Sequence, residues 1–321
     1  MNKTNYYLNK TINIASYSSY EYLAKVLALN NSIRKYKNIK FYLLALDQKI
    51  YNFIQKNNKE IICYKPKIIR TNFNKNLAQK IAIGRLNFAK YLLTKKKLPS
   101  VHLVDSDVYF FSDPNNLKEI VKNYDMGLCY HDSISNKYET DNKYGIFNAG
   151  YLYFKKSQNT KNILKRYISL CRKKVNYSVP KNNIKNIFAD QTYLEYITAE
   201  FKNIKKIKDK SINRGPWNIG KYRIRYINEE LFIDNVKLIF YHFSGIKKIF
   251  NNIYSLGLRM YVKNKKDIKK KIYLKYIKEL CEINKQYNIH KVNHKKFHIR
   301  GNKLHSLFNI IMKKDFLFYF K

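Results

Sequence analysis

The residues best placed to do chemistry lie in LVDSDVYFFSDP, positions 103–114. A short apolar run, Val101-His102-Leu103-Val104, ends in Asp105-Ser106-Asp107. In sheets with parallel strands, ligands gather beyond the carboxyl ends of the strands. Two carboxylates one residue apart leave such a strand together. They can chelate one hard divalent ion, which in turn neutralises a diphosphate. The plainer alternative is a strand that ends in a polar turn. Asp113, just before Pro114, reads as turn chemistry rather than as a ligand. The cysteines Cys63, Cys129, Cys171 and Cys281 fit no zinc or redox spacing and read as reduced thiols filling space. His290, His294 and His298 recur every fourth residue but have no acidic partner, so they read as one solvated basic helical face.

The elements that must position the acidic pair follow from periodicity. Ile12–Ala15 reads as a strand. A helical face follows at Leu23, Val26, Leu27 and Ile33. Phe41–Leu46 is a continuous apolar run, as in a strand buried on both faces. Residues 48–76 carry no clear period. Leu77–Leu93 reads as a helix, and Val101–Val104 as the strand that delivers Asp105. Strand, helix, strand, helix, strand is the α/β pattern. Further on, Met126–Tyr130, Phe147–Phe154 and Val236–Phe243 read as strands. Asn159–Cys171, Asp190–Phe201 and Asp267–Tyr287 read as helices, the last basic and amphipathic.

Four segments, in this order, resemble a GT-A-fold glycosyltransferase: Asp105-Ser106-Asp107; Phe147-Asn148-Ala149-Gly150; Asp190-Gln191; and His242-Phe243-Ser244-Gly245 with Lys248. The chain is similar to the retaining family 8-like enzymes that include bacterial surface-polysaccharide galactosyl- and glucosyltransferases, over about residues 11–250. The resemblance implies a mixed sheet flanked by helices, a nucleotide-sugar donor, UDP-glucose or UDP-galactose in the family's habit, and a glycan or lipid-linked acceptor. It implies Mn²⁺ or Mg²⁺ held by Asp105, Asp107 and His242. Donor contacts then fall to Ala15, Ser16, Tyr17, Arg85, Ser106, Asn148, Ala149, Gly150, Gly245 and Lys248, with Tyr17 set to stack on the base. Asp190 and Gln191 fall beside the reacting carbon.

The side chains suit these roles. An imidazole at a strand end can add a nitrogen ligand. The Asn148 amide both donates to and accepts from hydroxyls. Gly245 lets backbone approach phosphate oxygens, and Lys248 supplies a point charge. The family often continues that lysine with Pro-Trp, whereas Ile249-Phe250 stand here, so Lys247 is an alternative. Asp190 could bind a hydroxyl, stabilise positive charge or cap its helix. Trp217, the only Trp, follows Gly215-Pro216 and suits either an acceptor-side stacking platform or the core.

Composition narrows the classes. At 321 residues and 45% hydrophobic, the chain can bury a substantial core. Fourteen Gly plus Pro are too few for a repetitive or linker-like protein. No apolar run reaches the length of a membrane span. The N-terminus lacks an apolar signal stretch, which predicts a cytoplasmic protein, peripheral on the inner membrane face. The net charge of +42 draws polyanions, although Lys-, Asn- and Ile-rich codon bias also raises it. Residues 261–321 hold 17 Lys/Arg and 4 Asp/Glu, net +13. They are expected to form a basic amphipathic region, 258–321, attached to an anionic membrane surface beside a catalytic domain, 1–257. A basic nucleic-acid-binding protein is the rival reading, but no recognition motif supports it and no nucleic-acid partner is expected. A non-catalytic sugar-binding member of the same fold is the other alternative.

Overall fold

Strand formation in the first half is driven by apolar runs too continuous for a surface sheet, and the computed structural model pairs them accordingly. It describes residues 11–66, 77–134, 145–173, 190–250, 253–258, 266–289 and 316–318. Strands and helices alternate from β1 (Ile12–Ser18) through α1 (Leu23–Arg34), β2 (Ile39–Ala45), α2 (Gln48–Asn57), β3 (Ile62–Tyr64) and α3 (Leu77–Thr94) to β4 (Ser100–Val104). Next come β5 (Val108–Phe110), α4 (Leu117–Val121), β6 (Met126–Tyr130), β7 (Phe147–Lys155), α5 (Gln158–Lys173), α6 (Leu194–Glu200) and β8 (Ile204–Ile207). The rest is strand-rich: β9 (Ile224–Ile227), β10 (Glu230–Ile233), β11 (Val236–Lys237), β12 (Phe240–His242), β13 (Lys247–Phe250) and β14 (Ile253–Ser255). Lys266–Ile268 then opens a helix that loosens into a π turn over Lys269–Tyr273 and continues as α7 (Leu274–Gln286), and β15 (Phe316–Phe318) ends the described chain.

The described residues fall into two units. The first is Met1–Tyr20, Ile33–Ser106 and Asp113–Asp209; the second is Glu21–Ser32, Asp107–Ser112 and Lys210–Lys321. The first unit is built on a seven-stranded sheet in the order β3-β2-β1-β4-β7-β6-β8. β3, β2, β1 and β4 run parallel. β7 runs antiparallel to both β4 and β6, and β8 is parallel to β6. The sheet is therefore mixed, and β7 is buried at eight of its nine positions because it lies between two partners. Its core joins sheet residues such as Leu103, Leu128, Leu152 and Phe154 to Phe88 and Leu92 of α3, Leu164 and Tyr167 of α5, and Ile197 of α6.

The second unit holds three small ladders. β5 pairs antiparallel with β12, β9–β11 form a hairpin sheet, and β14 lies between β13 and β15. Its core is aromatic: Phe243 stacks on Tyr276 of α7 with ring centroids 3.9 Å apart, and Tyr109 and Tyr273 meet these rings edge-on. α7 turns Tyr276, Ile277, Leu280 and Ile283 into this core, and its Glu279 accepts a 2.7 Å hydrogen bond from Asn31 of α1.

The structure corrects one reading of the second half. Val236–Phe243 is not one strand. Residues 236–237 pair with β10, and residues 240–242 pair with β5. Between them the Leu238 amide bonds to Leu231 and the Ile239 amide to Ser211, so the apolar run changes partners midway. Residues 48–76, which carry no period, contain α2 and β3. The four cysteines are free thiols, and Cys129 and Cys171 are buried. His290, His294 and His298, and the apolar stretch 308–312, lie outside the described residues.

Candidate functional site

In the first unit the sheet collects a polar cluster around one guanidinium. Arg85 projects from α3 and is 4% exposed. Its Nε donates to Asp190 Oδ2 at 2.8 Å, and Nη2 donates to the same oxygen. Nη1 donates to Asp105 Oδ1 and to the Ala149 carbonyl, both at 3.0 Å, and to the Tyr17 hydroxyl at 3.3 Å. The Tyr17 hydroxyl in turn donates to Asp105 Oδ1 at 2.6 Å, with the Arg85 guanidinium 5.7 Å from its ring. Tyr167 of α5 donates to the Asp190 carbonyl at 3.1 Å. Burial alone would depress the Arg85 guanidinium, but the neighbouring Asp190 carboxylate above all, with Asp105, holds it well above its usual value. Burial pushes the Tyr17 phenol well up, and Asp105 adds to the shift.

The same cluster includes the start of β7. The Asn148 side-chain oxygen accepts from the Gly150 amide at 2.9 Å, and the Gly150 carbonyl accepts from the Asp105 amide at 3.1 Å. Gln191 Oε1 accepts from the Ala149 amide at 3.1 Å. Asp190 makes no side-chain cap for the short helix it precedes, because its carboxylate is committed to Arg85. Ala15, Ser16 and Tyr17 end β1, and Ser16 is fully buried with a hydroxyl that has no partner among the described residues. Thus Ala15–Tyr17, Arg85, Asp105, Ser106, Asn148–Gly150, Asp190 and Gln191 all belong to one unit. Tyr167 and Glu195, whose carboxylate accepts from the Ile146 amide at 2.9 Å, join this cluster without having been singled out from the sequence. The apolar spacing of Ile163, Leu164, Tyr167 and Ile168 marks Tyr167 as core and hides its polar end.

The second unit carries Asp107 and His242. His242 ends β12, opposite Val108 of β5, so the ladder places its ring beside the residue preceding that strand. His242 Nε2 lies 3.0 Å from Asp107 Oδ1, and Lys25 Nζ of α1 lies 3.5 Å from Asp107 Oδ2. The His242 ring is also met edge-on by Trp217, 5.2 Å away at 88°. Trp217 is 7% exposed, with its ring lying so close over Gly215 that a side chain there would collide with it. Burial acts to raise the Asp107 carboxyl, but Lys25 and then His242 outweigh it and hold the group well below the usual carboxylate range. Asp107 is therefore charged throughout the neutral range.

Gly245 follows at φ +83°, in the left-handed region that glycine tolerates. Its partner is Gly257, at φ +71°, where an added Cβ would fall 2.7 Å from the Ser244 carbonyl oxygen. The Ser244-Gly245 turn is thus sealed by a second glycine. Lys247 and Lys248 open β13. Burial pushes the Lys25 ammonium below its ordinary value, and the charge of Asp107 opposes that shift.

Asp107 and His242 offer a hard oxygen and an imidazole nitrogen to one point, a donor set that suits Mn²⁺ or Mg²⁺. Asp105 stands two residues before Asp107, so the chain itself keeps the two carboxylates close. These residues fit a divalent cation.

Comparison with known proteins gives a consistent result. Residues 38–268 match the family model for nucleotide-diphospho-sugar transferases. The uncharacterized protein YfnD of Bacillus subtilis is 22% identical over 280 residues, covering 84% of this chain and 89% of YfnD. The galactosyltransferase LgtC, solved with donor and acceptor sugar analogs, superposes with a TM-score of 0.51 at 14% identity, covering 73% of this chain and 87% of LgtC. The bifunctional glycosyltransferase WbbM gives 0.53 at 13% identity, over 88% of this chain and 52% of WbbM. The chain also spans 46% of the Streptococcus pneumoniae GlyE chain. At these identities the solved structures establish the fold, a GT-A mixed sheet flanked by helices.

Proposed function

Because the chain belongs to the nucleotide-diphospho-sugar transferase family, we propose that it moves a hexose from a UDP-sugar to a cell-surface glycan or glycolipid, with retention of configuration. That it is a glycosyltransferase using a nucleotide-sugar donor and an acceptor follows from the family. The donor base, the sugar, the acceptor and the stereochemistry are our reading. The observation that supports it most is Asp107 beside His242 at the β5–β12 ladder, two residues after Asp105. We assign Asp105, Asp107 and His242 as metal ligands. A bound Mn²⁺ or Mg²⁺ would neutralise charge on the departing nucleoside diphosphate.

The chain's own groups then have separable roles. Asn148, Ala149 and Gly150 shape the donor-sugar side, where Gln191 fixes the Ala149 amide. Ala15, Ser16 and Tyr17 with Ser106 border the nucleotide, and Gly245 with Lys247 or Lys248 approaches the diphosphate. Trp217, packed against His242, bears on the acceptor side through its edge. Asp190, held by Arg85, presents its carboxylate where positive charge develops on the anomeric carbon. An acceptor hydroxyl bonds to that carbon as the carbon–oxygen bond to the diphosphate breaks, and the hydroxyl proton passes to the departing diphosphate oxygen. The test is a panel of nucleotide-sugars with manganese, with magnesium and with chelator. Hydrolysis or transfer from a UDP-hexose that requires a divalent cation is expected. Full activity in excess chelator removes the metal assignment, and turnover of a different nucleotide's sugar removes UDP.

Asp190→Asn is expected to lower turnover far more than donor affinity, because its charge matters most in the transition state. Donor dissociation constants and kcat measured on the same variant decide this. Weaker donor binding at unchanged kcat assigns Asp190 to donor positioning instead.

We further propose that the C-terminal region meets an anionic membrane surface through charge. No helix among the described residues is long and apolar enough to cross a membrane. The apolar face of α7 is already used inside the second unit, so truncation after Tyr261 would remove core residues together with charge. The outward Lys270, Lys278 and Lys285 are the better targets. At about 1 kcal/mol per basic residue near anionic lipid, changing all three to Gln is expected to weaken binding to phosphatidylserine vesicles roughly a hundred-fold at low salt. Co-sedimentation measures it, and unchanged binding sinks the assignment.

A further inference from the structure

Lys25 is an unusual residue for its place. It sits in the first turn of α1, between the buried Leu23 and Val26, and its side chain is only 17% exposed. Its ammonium is 3.5 Å from Asp107 and 4.6 Å from the centre of the Tyr22 ring, so the carboxylate and the aromatic face aim it. Within the second unit the Lys25 ammonium and the His242 imidazole thus both bear on the Asp107 carboxylate. An ammonium beside a metal-binding carboxylate opposes a bare dication there. The same ammonium, next to a ligand set that fits a divalent cation, is complementary to a polyanion that arrives together with that cation.

We propose that Lys25 binds the diphosphate of the nucleotide donor and makes metal uptake depend on that diphosphate. This rests on the nucleotide-sugar reading above and adds to it a contact from α1, outside the acidic pair, the Asn-Ala-Gly segment and the His-to-Lys segment. Asp107 and Tyr22 orient the ammonium; the phosphate oxygens are its substrate-side partner. Removing Lys25 has two effects of opposite sign. Manganese alone loses a competitor for Asp107, and UDP loses a cation.

The experiment measures Mn²⁺ binding without nucleotide, and UDP binding at saturating Mn²⁺, on the full chain as wild type, Lys25→Met and Lys25→Arg. Lys25→Met is expected to weaken UDP at least ten-fold while Mn²⁺ alone binds as well as to wild type or better. Lys25→Arg, which keeps the charge, is expected to recover most of the UDP affinity. Melting temperatures verify folding, and Lys25→Gln replaces the methionine variant if that one does not fold. Unchanged UDP affinity in the uncharged variant overturns the proposal. A parallel loss of Mn²⁺ and UDP overturns it too, since that is what a purely structural partner of Asp107 gives. A wild type that binds no UDP with Mn²⁺ overturns the donor assignment itself, and is distinguished by failing before any variant is compared.

Discussion

Asp107→Asn is expected to lower turnover by orders of magnitude while leaving the fold intact. The substitution keeps the shape of the side chain but removes its charge. In the wild type that charge is held by Lys25 at 3.5 Å and His242 at 3.0 Å, on a side chain only 14% exposed. A neutral amide is a poor ligand for a hard cation, so the metal's neutralisation of the leaving diphosphate is lost with it. The pH sign agrees with this assignment. The Asp107 carboxyl is depressed in the folded protein, so its stabilising charge is complete above the unfolded value of about 3.9 and is lost only as the pH falls through the lower folded value. Activity lost between pH 6 and 4 therefore belongs to other groups. Steady-state kinetics against Mn²⁺ concentration, beside a melting curve, is the measurement. Wild-type turnover in Asp107→Asn, at any metal concentration, removes Asp107 from the metal site.

Much of this arrangement could be read from the residues. The apolar runs 41–46, 101–104 and 147–154 became β2, β4 and β7, because strands buried on both faces leave an unbroken hydrophobic signature. The helices α3 and α5 followed from their period. What stayed hidden was hidden for physical reasons. α2 is short, and its start is marked only by Asp47, whose carboxylate accepts from the Ile50 amide at 2.9 Å. Val236–Phe243 reads as one strand because apolar residues do not say which partner they face, and this run has two. At the site, residue types announced the acidic pair, but not what each carboxylate touches. Periodicity places Tyr17 on β1 and Lys25 on α1; it is tertiary packing that turns the Tyr17 hydroxyl to Asp105 and the Lys25 ammonium to Asp107. The resemblance names Arg85 as a donor contact, with no sign of what it pairs with. Its pairing with Asp190 and Asp105 is what makes it tolerable on α3, because it offsets the cost of burying the charge.

Arg85→Met should therefore be among the most destabilising single changes in the first unit. The guanidinium is 4% exposed and the Asp190 carboxylate 7%, so the pair lies almost wholly out of water. Methionine matches the length of the stem but strands the Asp190 carboxylate with only Tyr167 near it. Breaking a buried pair by removing one partner costs about 3–5 kcal/mol, because the other charge is left uncompensated. Removing both charges should cost less. Arg85→Met combined with Asp190→Asn is expected to be more stable than Arg85→Met alone, and the coupling energy from the double-mutant cycle reports the pair directly. Arg85→Lys should fall between, because an ammonium cannot reach Asp190, Asp105 and the Ala149 carbonyl together as the planar guanidinium does. Urea midpoints at constant m-value give all four numbers. If Arg85→Met and Asp190→Asn add without coupling, the pair is not the support it is taken to be here, and the charge on Asp190 must be held by something else.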